Sequence, residues 1–143
     1  MKTKQKGLLS EQVVICELLR RDYTVLTTIG DNARYDLVLD YKGTLLKVQV
    51  KTGRLRNGAI VFQTRSTQSN RRKRYSSYYS GQINLFMLYC PETEQVYFCP
   101  IELAGSEGRL RVDEAQSCNQ FGRKWAHDFT LDKLDAWLER IGT

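Results

Sequence analysis

The sequence predicts an α/β fold, a mixed β-sheet flanked by helices, contained in one domain over residues 1–143. Three features carry that reading: a helical apolar period near the start, a succession of β-branched and aromatic runs through the middle, and a second amphipathic helix at the end. With 143 residues, 41% of them hydrophobic, the chain can bury roughly two-thirds of its unfolded surface and needs neither metal nor disulfide to fold. A metal held by such a chain is expected to serve chemistry.

Over residues 8–19, Leu8, Val14, Ile15, Leu18 and Leu19 recur at three- and four-residue spacing, as one buried face of a helix does, and Arg20-Arg21-Asp22 closes it. Residues 23–29, Tyr-Thr-Val-Leu-Thr-Thr-Ile, read as a first strand ended by the polar turn Gly30-Asp31-Asn32. Strands over residues 35–41 and 44–51 follow, joined by Lys42-Gly43, where glycine accepts the positive φ of a tight hairpin. Residues 59–64 form another strand, and residues 65–79, basic and rich in Tyr and Ser without period, read as a mobile loop. Residues 83–90 and 95–101 make a hairpin around Pro91-Glu92-Thr93-Glu94, which sets Cys90 opposite Gln95 rather than Cys99. Residues 104–128 read as irregular. Thr130 is placed to cap a last helix lined by Leu131, Leu134, Trp137, Leu138 and Ile141, with Asp132 in its first turn and Arg140 in its last.

Several function classes fall away at once. No apolar run approaches the ~18 residues of a membrane span, and the first residues lack a signal peptide's apolar stretch, so the expected location is cytoplasmic with no membrane partner. Cys16, Cys90, Cys99 and Cys118 form no CxxC pair and accompany a single histidine, His127, which indicates neither a zinc site nor a disulfide framework. Charge is unevenly spread: residues 1–74 carry 16 Lys and Arg against 6 Asp and Glu, whereas residues 75–143 carry 6 against 10. A basic half of this kind points to a polyanion partner, since Lys and Arg on phosphates release condensed counterions.

The chemistry-bearing residues gather on the hairpin of residues 35–51. Leu46, Val48 and Val50 alternate with Lys47, Gln49 and Lys51, so the polar three share a face. A two-residue turn at Lys42-Gly43 places Asp36 opposite Gln49, bringing a carboxylate, a carboxamide oxygen and an ammonium onto one patch. Glu11 falls within the apolar stripe of the first helix, where a lone carboxylate is costly without a partner. Two carboxylates ~4 Å apart repel by about 4 kcal/mol at an effective dielectric near 20, so bringing Glu11 to Asp36 favours a cation between them. Oxygen-only ligands point to Mg²⁺, with Mn²⁺ as its substitute. A plainer reading stands beside this one: Glu11 as a first-turn charge after Ser10, the hairpin's polar residues as a solvated face, and Arg71-Arg72-Lys73-Arg74 as a solvated loop.

Tyr35-Asp36-Leu37-Val38, then Val48-Gln49-Val50-Lys51-Thr52-Gly53, preceded by a helix bearing Glu11, resembles the PD-(D/E)XK (restriction-endonuclease-like) nuclease core. The pattern is most like the bacterial group I intron-encoded homing endonucleases of that superfamily, and the Gln-Val-Tyr-Phe-Cys-Pro ending of residues 95–100 extends the likeness to roughly residues 5–100. The resemblance implies a Mg²⁺-dependent, sequence-specific endonuclease on double-stranded DNA, active in intron homing. It makes Asp36 the metal-binding acid, Lys51 the lysine that orients the attacking water and offsets phosphate charge, and Glu11 the helix acid. Gln49 departs from the pattern, standing where a carboxylate is usual; its amide oxygen still suits a hard cation, at one less negative charge. The resemblance also implies a homo-oligomer, a dimer or tetramer, since one subunit carries one strand-cutting site.

Basic residues flank these positions. Arg54 and Arg56 follow Lys51, and Arg65, Arg71, Arg72, Lys73 and Arg74 with Tyr75 lie before the later hairpin, where they are expected to hold DNA. Four such contacts would give a salt slope of roughly −4. A structure-selective, junction-resolvase-like nuclease and a noncatalytic DNA-binding module with a decayed site at Gln49 are the alternatives.

Overall fold

The computed structural model describes residues 1–30, 32–69, 74–78, 81–113 and 124–142, and of residues 66–69 and 74–78 the backbone only. The chain runs α1 (Thr3–Arg20), β1 (Thr24–Thr27), β2 (Leu37–Tyr41), β3 (Thr44–Thr52), β4 (Arg54–Arg56), β5 (Ala59–Phe62), β6 (Arg65–Ser69), β7 (Arg74–Tyr78), β8 (Leu85–Cys90), β9 (Gln95–Pro100), β10 (Gly108–Arg111) and α2 (Leu134–Ile141), with short 3₁₀ turns at Ile101–Leu103, Ala126–Asp128 and Leu131–Lys133.

A five-stranded sheet in the order β1-β2-β3-β8-β9 is the frame. The pairing of β3 with β8 is parallel and the other three pairings are antiparallel, so the sheet is mixed as expected. Lys42 and Gly43, at φ of 51° and 88°, close β2 onto β3 in the doubly positive turn that matches strand twist, and the register Tyr41↔Thr44 through Leu37↔Val48 follows from that turn.

Alternation divides two apolar layers. Leu46, Val48, Val50, Leu85 and Met87 pack with Val14 and Leu18 of α1 and Leu134 and Leu138 of α2, so both helices cover the same face. Phe86, Leu88, Tyr97 and Cys99 point the other way, onto Ile60, Phe62 and Leu110. Those come from a second sheet, three-stranded in the order β10-β5-β4. The inner strand β8 is thus buried on both faces, as its unbroken Leu-Phe-Met-Leu run requires. Tyr23 and Tyr41 donate hydrogen bonds to Asp135 and Glu139, acids one turn apart that fasten α2 along β1 and β2.

Several expectations change. α1 begins at Thr3, and its buried residues are Ser10, Val14 and Leu18, spaced by four; Leu8 and Leu19 are 59% and 55% exposed. Residues 65–69 and 74–78 are not loop but a two-stranded hairpin, β6 with β7. Their Arg, Ser, Thr and Gln residues lack the apolar alternation by which a half-buried strand is recognised. β4 and β10 also escape the sequence reading. Thr130 caps no helix, for its hydroxyl donates to the Asp132 side chain and Leu131–Lys133 is a 3₁₀ turn before α2. Cys90 does pair with Gln95 across the β8–β9 hairpin, and Cys16, Cys90 and Cys99 are free thiols; Cys118 lies outside the described residues.

Candidate active site

Asp36 stands one residue before β2, where that strand parts from β3. Its N–H donates to the Val48 carbonyl at 2.9 Å, and its Oδ2 accepts the Val50 N–H at 2.9 Å. The carboxylate thus takes the place that a strand carbonyl would occupy had β2 continued, and β3 runs on to Thr52 with β8 on its other side. The anticipated pairing of Asp36 with Gln49 is not formed. The ladder ends at Leu37↔Val48 because β2 departs there, and the side chain reaches past Gln49 to Val50.

Glu11 arrives from α1. The helix starts eight residues earlier, so Glu11 is no first-turn charge. It is half-buried, and its carboxyl is raised above the ordinary value first by burial and second by the negative charge of Asp36. Asp36 is raised as well, chiefly by burial, against the opposing pull of the Val50 N–H and the positive charge of Lys51. Two acids from different elements and one lysine therefore share an electrostatic neighbourhood. Lys51 is half-buried on β3, its Nζ donating to the Arg65 carbonyl at 3.4 Å. Lys47, two positions before Gln49 on the same face, is exposed and lies 5.7 Å from the Tyr35 ring centroid, so burial sets Gln49 and Lys51 apart from an ordinary solvated face.

Gln49 is the loosest member. Its Nε2 donates to the Val50 carbonyl at 3.5 Å, the outer limit of a hydrogen bond, and it makes none to Asp36 or Glu11 among the described residues. Among those residues no group of three or more His, Cys, Asp or Glu could hold a metal. A cation here would be held by two carboxylates and an amide oxygen, all hard donors. That donor set fits Mg²⁺ or Mn²⁺, and the penalty that Glu11 and Asp36 bear when ionised together is what a cation would relieve.

A hydroxyl pair that the sequence did not advertise holds the two halves of this cluster together. Ser10, 1% exposed, and Thr52 share a 2.6 Å Oγ···Oγ1 hydrogen bond between α1 and the end of β3. Each is the chain neighbour of a cluster residue, Glu11 or Lys51, so the bond fixes how far the helix acid lies from the lysine. The residues are 42 apart in sequence, and no local pattern could have joined them.

Lys51 also lines a cleft of about 770 Å³ between α1 and β3–β5, together with Lys6, Arg54 and Arg65. Arg56 is exposed on β4 beside Arg54. Arg71, Arg72 and Lys73 lie outside the described residues, and Arg74 and Tyr75 are placed in β7 by backbone alone.

The helix acid, the acid at the strand divergence and the lysine two positions beyond Gln49 follow the order of one nuclease class. The sequence profile described as PD-(D/E)XK endonuclease matches residues 1–132, and the chain belongs to that family. Among solved structures it is similar to a bacterial homing endonuclease, I-Ssp6803I, at 30% identity and a TM-score of 0.78, over 99% of this chain and 97% of that one. No curated protein sequence matches it.

Proposed function

We propose that the protein is a Mg²⁺-dependent, sequence-specific endonuclease that hydrolyses phosphodiester bonds in double-stranded DNA, in the manner of a homing endonuclease. The observation that carries the reading is the convergence of Glu11, Asp36 and Lys51 where β2 leaves β3, beside a basic cleft. Its similarity to a solved homing endonuclease supports the choice of substrate.

In this reading Asp36, Glu11 and the Gln49 amide oxygen hold the ion. When bound, a divalent cation supplies positive charge to the phosphate and lowers the pKa of a nearby water. Lys51 places its ammonium where negative charge grows on the phosphate as water adds to phosphorus and the P–O bond to the leaving nucleotide breaks. The Val50 N–H, by holding Asp36 Oδ2, fixes the carboxylate's direction. The Ser10–Thr52 bond holds Glu11 and Lys51 in register. Cutting both strands takes at least two copies, each with one such site.

Incubation with a library of duplexes and Mg²⁺, followed by sequencing of the new ends, tests this. Cuts at one recurrent sequence, abolished by EDTA, are expected. Cuts confined to branched DNA would make it structure-selective instead, and intact DNA under all conditions would leave a binding module.

A further inference from the structure

The cleft beside Lys51 has a second wall on α1, where Lys6 and Gly7 take no part in the proposed reaction. Lys6, Gly7 and Ser10 of α1 face it at one-turn spacing, and its lining also includes Arg54 and the neighbouring pair Lys51 and Arg65, joined by the Lys51 Nζ bond to the Arg65 carbonyl. Four cations therefore surround a floor that includes the buried Phe62. The acid on this wall, Glu107, stands 3.8 Å from Arg109. Arg54 lends part of its charge to Glu92, whose carboxyl is lowered chiefly by a hydrogen bond from its own backbone and only lastly by Arg54. Lys6 is exposed and has no carboxylate at ion-pair distance among the described residues. At Gly7 no atom lies within 4 Å of where a Cβ would stand, so the helix wall is set back there by a whole side chain. An apolar floor under a cationic rim, open at the glycine, suits a chain of sugars joined by phosphates.

We propose that this cleft seats the sugar–phosphate strand on one side of the bond that is cut, with Lys6 on a phosphate flanking the scissile one and Gly7 leaving room for the backbone to pass. The assignment of the cut bond to Lys51 rests on the nuclease reading; the seating of a strand does not. Removing one phosphate contact lowers the salt slope of duplex binding by about 0.9, so the advantage of the wild type over a variant lacking Lys6 shrinks about 3.5-fold between about 50 and about 200 mM salt. Lys4 is the control. It removes the same charge from the same helix but lies about 200° around it from Lys6 and off the cleft wall.

The test is fluorescence anisotropy of a labelled duplex of random sequence, without divalent metal, for the wild type, Lys6→Ala, Lys4→Ala and Gly7→Phe. Gly7→Phe changes no charge and replaces a weak helix former by a better one, so it reports occupancy of the cleft without loss of folding. Lys6→Ala is expected to lower the slope by about 0.9, Lys4→Ala to leave it unchanged, and Gly7→Phe to weaken binding severalfold. Equal slopes for Lys6→Ala and Lys4→Ala, full binding by Gly7→Phe, or no binding by the wild type would each overturn the proposal. The same proteins are then given Mg²⁺ and the duplex library. Binding through Lys6 without any cutting would sink the nuclease reading and keep the cleft, whereas cutting indifferent to Lys6 and Gly7 would do the reverse.

Discussion

Replacing Thr52 by Val should cost more stability than replacing Ser10 by Ala, although both break the same 2.6 Å hydrogen bond. Ser10 is 1% exposed, so in Thr52→Val its hydroxyl stays in the interior without a partner, and an unsatisfied buried group of that kind costs about 2 kcal/mol. Thr52 is only half-buried. In Ser10→Ala its hydroxyl turns to water, the loss is about 1 kcal/mol, and the better helix propensity of Ala returns about 0.5 kcal/mol of it. The double variant removes donor and acceptor together and should lie within about 0.5 kcal/mol of Ser10→Ala. Urea unfolding of the four proteins, with equal m-values, gives the cycle. Equal costs for the two single variants would mean that Ser10 is satisfied within its own helix and that the link to β3 does not position Glu11.

Other outcomes follow from packing, thiol burial and charge. A Cβ on Gly108 would run into the Phe62 ring, itself set edge-on to Phe86, so Gly108→Ala should lose about 3 kcal/mol in the same assay, and a loss below about 1 kcal/mol would contradict the fit. Cys99, pushed up to about 12 by burial, and Cys90, raised by burial, should resist iodoacetamide in the folded protein while exposed Cys16 reacts. Because the Cys99 pKa is raised in the folded state from an ordinary 9.0, the unfolded thiol ionises first, and stability present below that pH falls as pH climbs from 9.0 toward about 12. Mg²⁺ at about ten times its Kd should stabilise the wild type by about 1.4 kcal/mol, with a smaller gain in Asp36→Asn; an equal gain would place the ion elsewhere.

The β2–β3 hairpin was legible because Lys42-Gly43 admits one turn type, and that turn sets the register of every pair down to Leu37↔Val48. Its end was not. Asp36 leaves the ladder by a departure of β2 that no residue type announces, so its partner is Val50 rather than Gln49. The helix carrying Glu11 was recognised by its apolar spacing, yet its buried stripe begins with a serine, and Leu8 and Leu19 lie outside it. Polarity hid that serine because its worth depends on Thr52, a tertiary partner. The same holds for β6 and β7, whose strand character comes from pairing with each other and not from an apolar face. Local periodicity finds elements that bury one side, and contacts between polar groups distant in sequence leave no such trace.

If the protein is a nuclease, Asp36 and Lys51 act on the phosphodiester and are not merely part of a DNA-binding surface. Asp36→Ala and Lys51→Ala should be compared with the wild type for duplex binding without metal and for cleavage with Mg²⁺. Cleavage is expected to be abolished in both, with Asp36→Ala binding the duplex within about threefold of the wild type and Lys51→Ala lowering the salt slope of binding by no more than the about 0.9 of its one phosphate contact. Variants that still cut at the wild-type rate would contradict that role.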